Sequence, residues 1–104
     1  MSAKDTLVII PTYNEAGNLA SLMKELDSLQ SQFDVLMVDD NSPDGTARMI
    51  EDCRRTRPWL NLLQRSGKQG LGRAYLAGFE WALPRGYELI VEMDADLSHD
   101  PRDV

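Results

Sequence analysis

The sequence predicts an α/β fold built on a mostly parallel sheet, and two observations carry that prediction. Four short apolar runs, at residues 7–10, 35–38, 60–63 and 89–93, alternate with three amphipathic stretches. Each run carries few charges, as suits a strand covered on both faces. A strand–helix alternation repeated in this way calls for crossover connections, which are right-handed and place helices on the faces of a parallel sheet.

Each element has its own justification. In the first amphipathic stretch Leu19, Leu22, Met23, Leu26 and Leu29 recur at steps of three and four, one face of a helix, with Asn14 placed to cap its N-terminus. The second, from about 46 to 56, puts Ala47, Ile50 and Cys53 on one face and follows the turn-rich Ser42-Pro43-Asp44-Gly45. The third aligns Leu71, Ala74, Tyr75, Gly78, Phe79 and Ala82, and Pro84 and Gly86 stop it. Trp59, Trp81, Tyr75 and Phe79 read as core or helix-packing residues.

Composition narrows the function. The 104 residues fit one small domain, and 42% hydrophobic content is enough to fill a core. Eleven basic against 17 acidic residues give a net charge of −6, which argues against a nucleic-acid binder. The single Cys53 excludes an internal disulfide and a cysteine zinc site, and reads as a small apolar side chain on a helix. No secretory segment or run of about 18 apolar residues is visible, so the expectation is a soluble, cytoplasmic chain. Residues 101–104 follow an acidic cluster without a closing element, so a fold cut in mid-domain is expected.

Ligands of open parallel sheets bind beyond the carboxyl ends of the strands. Pro11-Thr12-Tyr13-Asn14-Glu15 follows the first apolar run, the stretch 39–45 the second, 65–72 the third and 94–100 the fourth. Polar and charged groups thus converge on one edge. Asp94 and Asp96 are spaced i, i+2, which in extended backbone points both carboxylates the same way. Such a pair repels itself unless a divalent cation such as Mg²⁺ or Mn²⁺ sits between, held by hard oxygens and substrate phosphates. The bland alternative is a solvated acidic loop. Of Asp39 and Asp40 only one can face the site; Asp40 is the choice for ribose or base contacts, and Asp39 for bracing the 41–45 turn. The stretch 67–72 fails the Walker A spacing and reads as a flexible helix entry, although Arg65, Lys68 and Arg73 could meet a diphosphate. His99, the only histidine, is placed near the metal as a supporting residue rather than a base.

The segments 8–15, 38–46, 70–75 and 93–101, including Asp39-Asp40-Asn41-Ser42-Pro43-Asp44-Gly45-Thr46 and Asp94-Ala95-Asp96-Leu97-Ser98-His99, resemble glycosyltransferase family 2. The likeness is greatest to its polyprenyl-phosphate (dolichol-phosphate) mannosyltransferase branch. It implies the three-layer, Rossmann-like GT-A fold, with residues 1–104 as the N-terminal, nucleotide-sugar-binding part and the acceptor part beyond. It implies that Pro11, Tyr13, Glu15, Val38 and Asp40 line the nucleotide pocket, with Tyr13 by the base. Asp94, Ala95, Asp96 and Ser98 would hold the diphosphate. Asp94, Asp96 and Ser98 would ligate Mg²⁺ or Mn²⁺, and Asp96 would be the catalytic residue. The implied reaction moves mannose from GDP-mannose to a polyprenyl or dolichyl phosphate with inversion, at the cytoplasmic face of a membrane that the full-length enzyme touches peripherally.

Rival readings remain. UDP-glucose could replace GDP-mannose, and the chain could bind nucleotide without catalysis. Asp94-Ala95-Asp96 also resembles the first motif of haloacid-dehalogenase phosphatases, but that motif normally opens its domain. A receiver domain would leave Pro11–Glu15 unexplained.

Overall fold

The structure, a computed structural model, describes residues 5–29, 32–66 and 71–94. Strands β1 (Thr6–Thr12), β2 (Asp34–Asp39), β3 (Leu60–Gln64) and β4 (Leu89–Glu92) alternate with helices α1 (Ala16–Asp27), α2 (Thr46–Arg54) and α3 (Leu71–Ala82). A 3₁₀ turn, Leu83–Arg85, closes α3. The sheet order is β3-β2-β1-β4, and every pair is parallel.

The order dictates the layers. The chain steps from β1 to β2 to β3 in one direction, then returns past β1 to place β4 on its other side. Right-handed crossovers require α1 and α2 on one face and α3 on the opposite one. The core divides accordingly. Val8, Ile10, Val35 and Met37 pack with Leu19, Leu22, Met23 and Leu26 of α1 and Ile50 of α2. The alternate residues Leu7, Ile9, Leu36 and Val38 pack with Ala74 and Ala82 of α3. Strand residues alternate between faces, so β1 and β2 serve two cores at once and need no polar face. The edge strands differ from the expected full coverage: β3 and β4 are only partly buried, and Leu89 is exposed.

Two local details depart from the sequence expectation. Asn14 does not cap α1. Glu15 holds the cap position without a side-chain cap bond, and Asn14 adopts the left-handed conformation at φ 56°. Phe79 is exposed rather than packed, because α3 turns Ala74, Gly78 and Ala82 to the sheet and leaves Phe79 at its margin. Cys53 is half-buried and packs against the α1–α2 core. The stop of α3 is as expected, with Gly86 at φ 79°.

β1 also runs two residues further than its apolar core, through Pro11 and Thr12. Pro11 has a consequence for the neighbouring strand. The β1–β4 ladder reaches Ile9↔Glu92, and the Met93 amide donates to the Ile9 carbonyl at 3.0 Å. The next rung of a parallel ladder would need a donor from residue 11, and proline has none. β1 and β4 therefore part company at this point, while β1 and β2 stay paired to Thr12↔Asp39.

Candidate active site

The reversal of strand order lies between β1 and β4. At such a switch point the connections leave for opposite faces and open a crevice at the carboxyl ends. One lip is the segment after β1, carrying Tyr13 and Glu15. The other is the segment after β4, where Asp94 stands two residues beyond Glu92. The loops after β2 and β3 flank the first lip.

The β1 lip is held by side chains from the β2–α2 loop. The Asn14 amide donates to Ser42 Oγ at 3.0 Å, the Glu15 amide to Thr46 Oγ1 at 3.0 Å, and the Ala16 amide to Asp44 Oδ2 at 3.1 Å. These bonds supply the acceptors that a residue just before α1 would normally offer. That is why Asn14 is not needed as a cap. The hydroxyls are themselves oriented: Ser42 donates to Asp39 Oδ1 at 2.6 Å, and Thr46 to Asp44 Oδ1. The Thr46 hydrogen bond, ahead of opposing desolvation, lowers the Asp44 carboxyl below its usual range, and the amides of Ala16 and Thr46 add to the effect.

Asp39 is the inner anchor. It is fully buried and accepts three hydrogen bonds: Thr12 Oγ1 at 2.7 Å, Ser42 Oγ, and the Ser42 amide at 2.9 Å. It braces the turn, as its place in the strand led one to expect. Asp40 is also nearly buried, and Arg65 Nη1 lies 3.4 Å from its Oδ1. Arg65, read from sequence as a cation for diphosphate, is thus engaged with Asp40 at the end of β3. Asn41, at φ 61°, donates from Nδ2 to the Ser66 carbonyl at 3.3 Å, joining the second and third loops.

On the other lip Asp94 is half-buried, and Tyr75 donates its hydroxyl to Asp94 Oδ1 at 3.3 Å. Burial first, then the charges of Asp94 and Glu92, push the Tyr75 phenol up to about 12. Spacing alone marked Tyr75 as a packing residue. Its position in the first two turns of α3, beside the strand ends, is the signal for this second role.

The remaining expected residues are placed as follows. Tyr13 and Pro11 are half-buried, and Glu15 accepts a hydrogen bond from Asn18 Nδ2 at 3.0 Å. Val38 is fully buried in the α3-side core, with Leu7, Ile9 and Leu36. Arg73 is exposed on α3. Ala95, Asp96, Ser98, Lys68 and His99 lie outside the described residues. Among the described residues no group of three or more acidic, His or Cys side chains forms a metal site, so Asp94 is the one expected metal ligand whose surroundings are visible.

Comparison with known proteins places this arrangement. Residues 7–104 match the family model Glycosyl transferase family 2. The chain belongs to that family. It is 48% identical over 100 residues to polyprenol monophosphomannose synthase of Mycolicibacterium smegmatis, covering 95% of this chain and 38% of that protein. It is 50% identical over 95 residues to undecaprenyl-phosphate mannosyltransferase of Micrococcus luteus, covering 91% and 39%. The chain therefore spans about two-fifths of these relatives. Its fold is similar to that of the mannosyltransferase PcManGT from Pyrobaculum calidifontis, solved in complex with GDP-Man and Mn²⁺. There the TM-score is 0.75 at 29% identity, over 92% of this chain and 28% of the other. The crystal structure of S. aureus TarS 1-349 gives a TM-score of 0.73 at 28% identity, over 88% and 27%. The parallel sheet between two helical layers is the GT-A architecture that the family resemblance implies.

Proposed function

We propose that residues 1–104 are the donor-binding part of a polyprenyl-phosphate mannosyltransferase, which transfers mannose from GDP-mannose to a polyprenyl or dolichyl phosphate with inversion. The observation that carries this reading is the likeness, over most of the chain, to relatives bearing those names and to a fold solved with GDP-Man and Mn²⁺. Under this reading Tyr13 and Glu15, on the β1 lip, contact base and ribose. Asp40, at the margin of the pocket, supports them, with Pro11 and Val38 forming its floor. Ala95 lies along the diphosphate.

The β4 lip suits a divalent cation by its donor chemistry. Asp94 offers a hard carboxylate at a strand end, and Tyr75 orients it. Asp96 and Ser98 are the further ligands we assign, with Asp96 the catalytic residue that holds charge at the leaving group. Mg²⁺ or Mn²⁺ bound there would offset the charge that develops on the departing diphosphate. The acceptor phosphate is already anionic near neutral pH and attacks directly, so no strong base is required of the chain. The acceptor-binding part belongs to the longer protein, as does contact with the cytoplasmic face of a membrane. No helix among the described residues is long and apolar enough to cross one.

The test is a calorimetric titration of the 104-residue chain with GDP and GMP, with and without Mn²⁺. The expected result is a preference for GDP that depends on the metal and disappears in Asp96→Ala. Equal affinity for both nucleotides, indifferent to Mn²⁺, would refute the assignment of Asp94 and Asp96.

A further inference from the structure

We propose that Ser42, Asp44 and Thr46 are positioning residues for nucleoside recognition, acting through the backbone of residues 14–16 on Tyr13 and Glu15. The proposal rests on the reading of Tyr13 and Glu15 as nucleoside contacts. Three consecutive amides, those of Asn14, Glu15 and Ala16, are each bound by a different side chain of the 42–46 loop. The bonds have a fixed direction. The single proton of Ser42 goes to Asp39 and that of Thr46 to Asp44, so each hydroxyl presents only lone pairs to the amide it holds. Thr46 is fully buried and has no alternative solvent partner. The restraint acts on a backbone that would otherwise relax. Asn14 sits at φ 56° between Tyr13 and Glu15, a left-handed conformation that asparagine adopts more readily than other residues with a Cβ but still less readily than the extended one. Release of its amide lets the chain turn there and changes how the two flanking side chains enter the crevice.

The same bonds close the N-terminus of α1 to anions. The first helical amide, that of Ala16, is taken by the Asp44 carboxylate, which stands where a helix N-terminus would otherwise attract phosphate. The β1 lip is thereby specialised for the nucleoside, leaving the diphosphate to the β4 lip. Loosening the 42–46 loop should therefore reduce discrimination between bases and leave the shared diphosphate contribution intact.

The experiment titrates the 104-residue chain with GDP and with UDP in saturating Mn²⁺. Thr46→Val keeps the shape and removes the hydroxyl, Ser42→Ala does the same at a half-exposed position, and Thr46→Ser restores the hydroxyl. The expected result is a loss of GDP affinity of about tenfold in Thr46→Val, the scale of one unsatisfied donor, a smaller loss in Ser42→Ala, whose partner amide is exposed, and in both a lesser fall for UDP, which shares only the ribose contact. Thr46→Ser should keep the wild-type ratio. In both weakened variants the amides of residues 14 and 15 should exchange with solvent faster, read by hydrogen exchange. A parallel fall in GDP and UDP affinity, or an unchanged ratio with faster exchange, overturns the positioning role. A wild-type chain that does not distinguish GDP from UDP instead overturns the guanosine reading on which it rests.

Discussion

Replacing Asp39 with Asn tests whether a single buried carboxylate holds the site edge together. In the native structure Oδ1 accepts from two hydroxyls, Thr12 at 2.7 Å and Ser42 at 2.6 Å, and Oδ2 accepts from the Ser42 amide at 2.9 Å. An amide of the same shape has only one oxygen. Placed at Oδ1 it keeps both hydroxyls but points its NH₂ at the Ser42 amide, donor against donor. Placed at Oδ2 it turns the NH₂ toward both hydroxyls, so the protons of Thr12 and Ser42 lose their acceptor. Either way at least one buried donor loses its partner, at about 1–3 kcal/mol, and the surviving bonds lose their charge assistance. Together this gives a destabilisation of about 2–4 kcal/mol. Against a typical total of ~5–15 kcal/mol that is a large share. With a urea dependence near ~2 kcal/mol per molar, the unfolding midpoint should fall by about 1–2 M. Thr12→Val, which removes one hydroxyl and leaves the others in place, should cost only about 1 kcal/mol. Equilibrium urea denaturation followed by tryptophan fluorescence reads both, since Trp59 is buried in the core. A midpoint for Asp39→Asn within a few tenths molar of wild type, or equal to that of Thr12→Val, would refute the reasoning.

Two further predictions concern the fold beneath the site. A Cβ added at Gly78 would lie 2.8 Å from both Cδ1 and Cγ2 of the fully buried Ile9, whereas one added at Gly17 meets nothing within 4 Å. Overpacking of about 1–3 kcal/mol should outweigh the ~1 kcal/mol helix preference for alanine at Gly78, while Gly17→Ala gains the preference alone. Thermal denaturation should therefore move the two midpoints in opposite directions. Tyr87 donates to Asp34 Oδ2 at 2.8 Å, and burial, then that bond, push its phenol up to about 12. A folded pKa raised above the unfolded value of ~10 gives stability that is complete below pH ~10 and is lost as pH rises toward 12. Stability measured across that window should fall less steeply in Tyr87→Phe, with Tyr75 supplying the slope that remains. An identical slope in the variant would assign the alkaline loss elsewhere.

The layers were legible because they follow from periodicity. Alternation along residues 7–10 and 35–38, against steps of three and four in the helices, is a direct record of which face is buried. Parity along β2 allowed only one of Asp39 and Asp40 to face the site, and the nearness of Asp40 to the loop left Asp39 as the bracing residue. The bonds that shape the β1 lip left no such record. Ser42 meets Asn14, and Thr46 meets Glu15, across about 30 positions of chain. Local spacing therefore favoured Asn14 as the cap. Arg65 shows the same limit, since its partner Asp40 comes from the neighbouring strand and not from its own loop. Val38 was named for the pocket by the family resemblance alone; its parity with Leu36, which sends its side chain into the α3 layer, was legible in the alternation.

The placing of β1 between β2 and β4 bears on the order in which the molecule is assembled. β1 is the first described strand to be synthesised, and one of its two neighbours is the last: Leu7 pairs with Ile90. A growing chain can dock β2 and β3 with α1 and α2 while the other edge of β1 still offers bare backbone groups. Until β4 arrives, that edge invites pairing with other chains, and only one lip of the crevice exists. Such a nascent chain would have its α1–α2 core largely formed and no cleft. Damage to β4 would then remove the site while sparing much of the core, and the loss would be found first in ligand binding and in aggregation during synthesis.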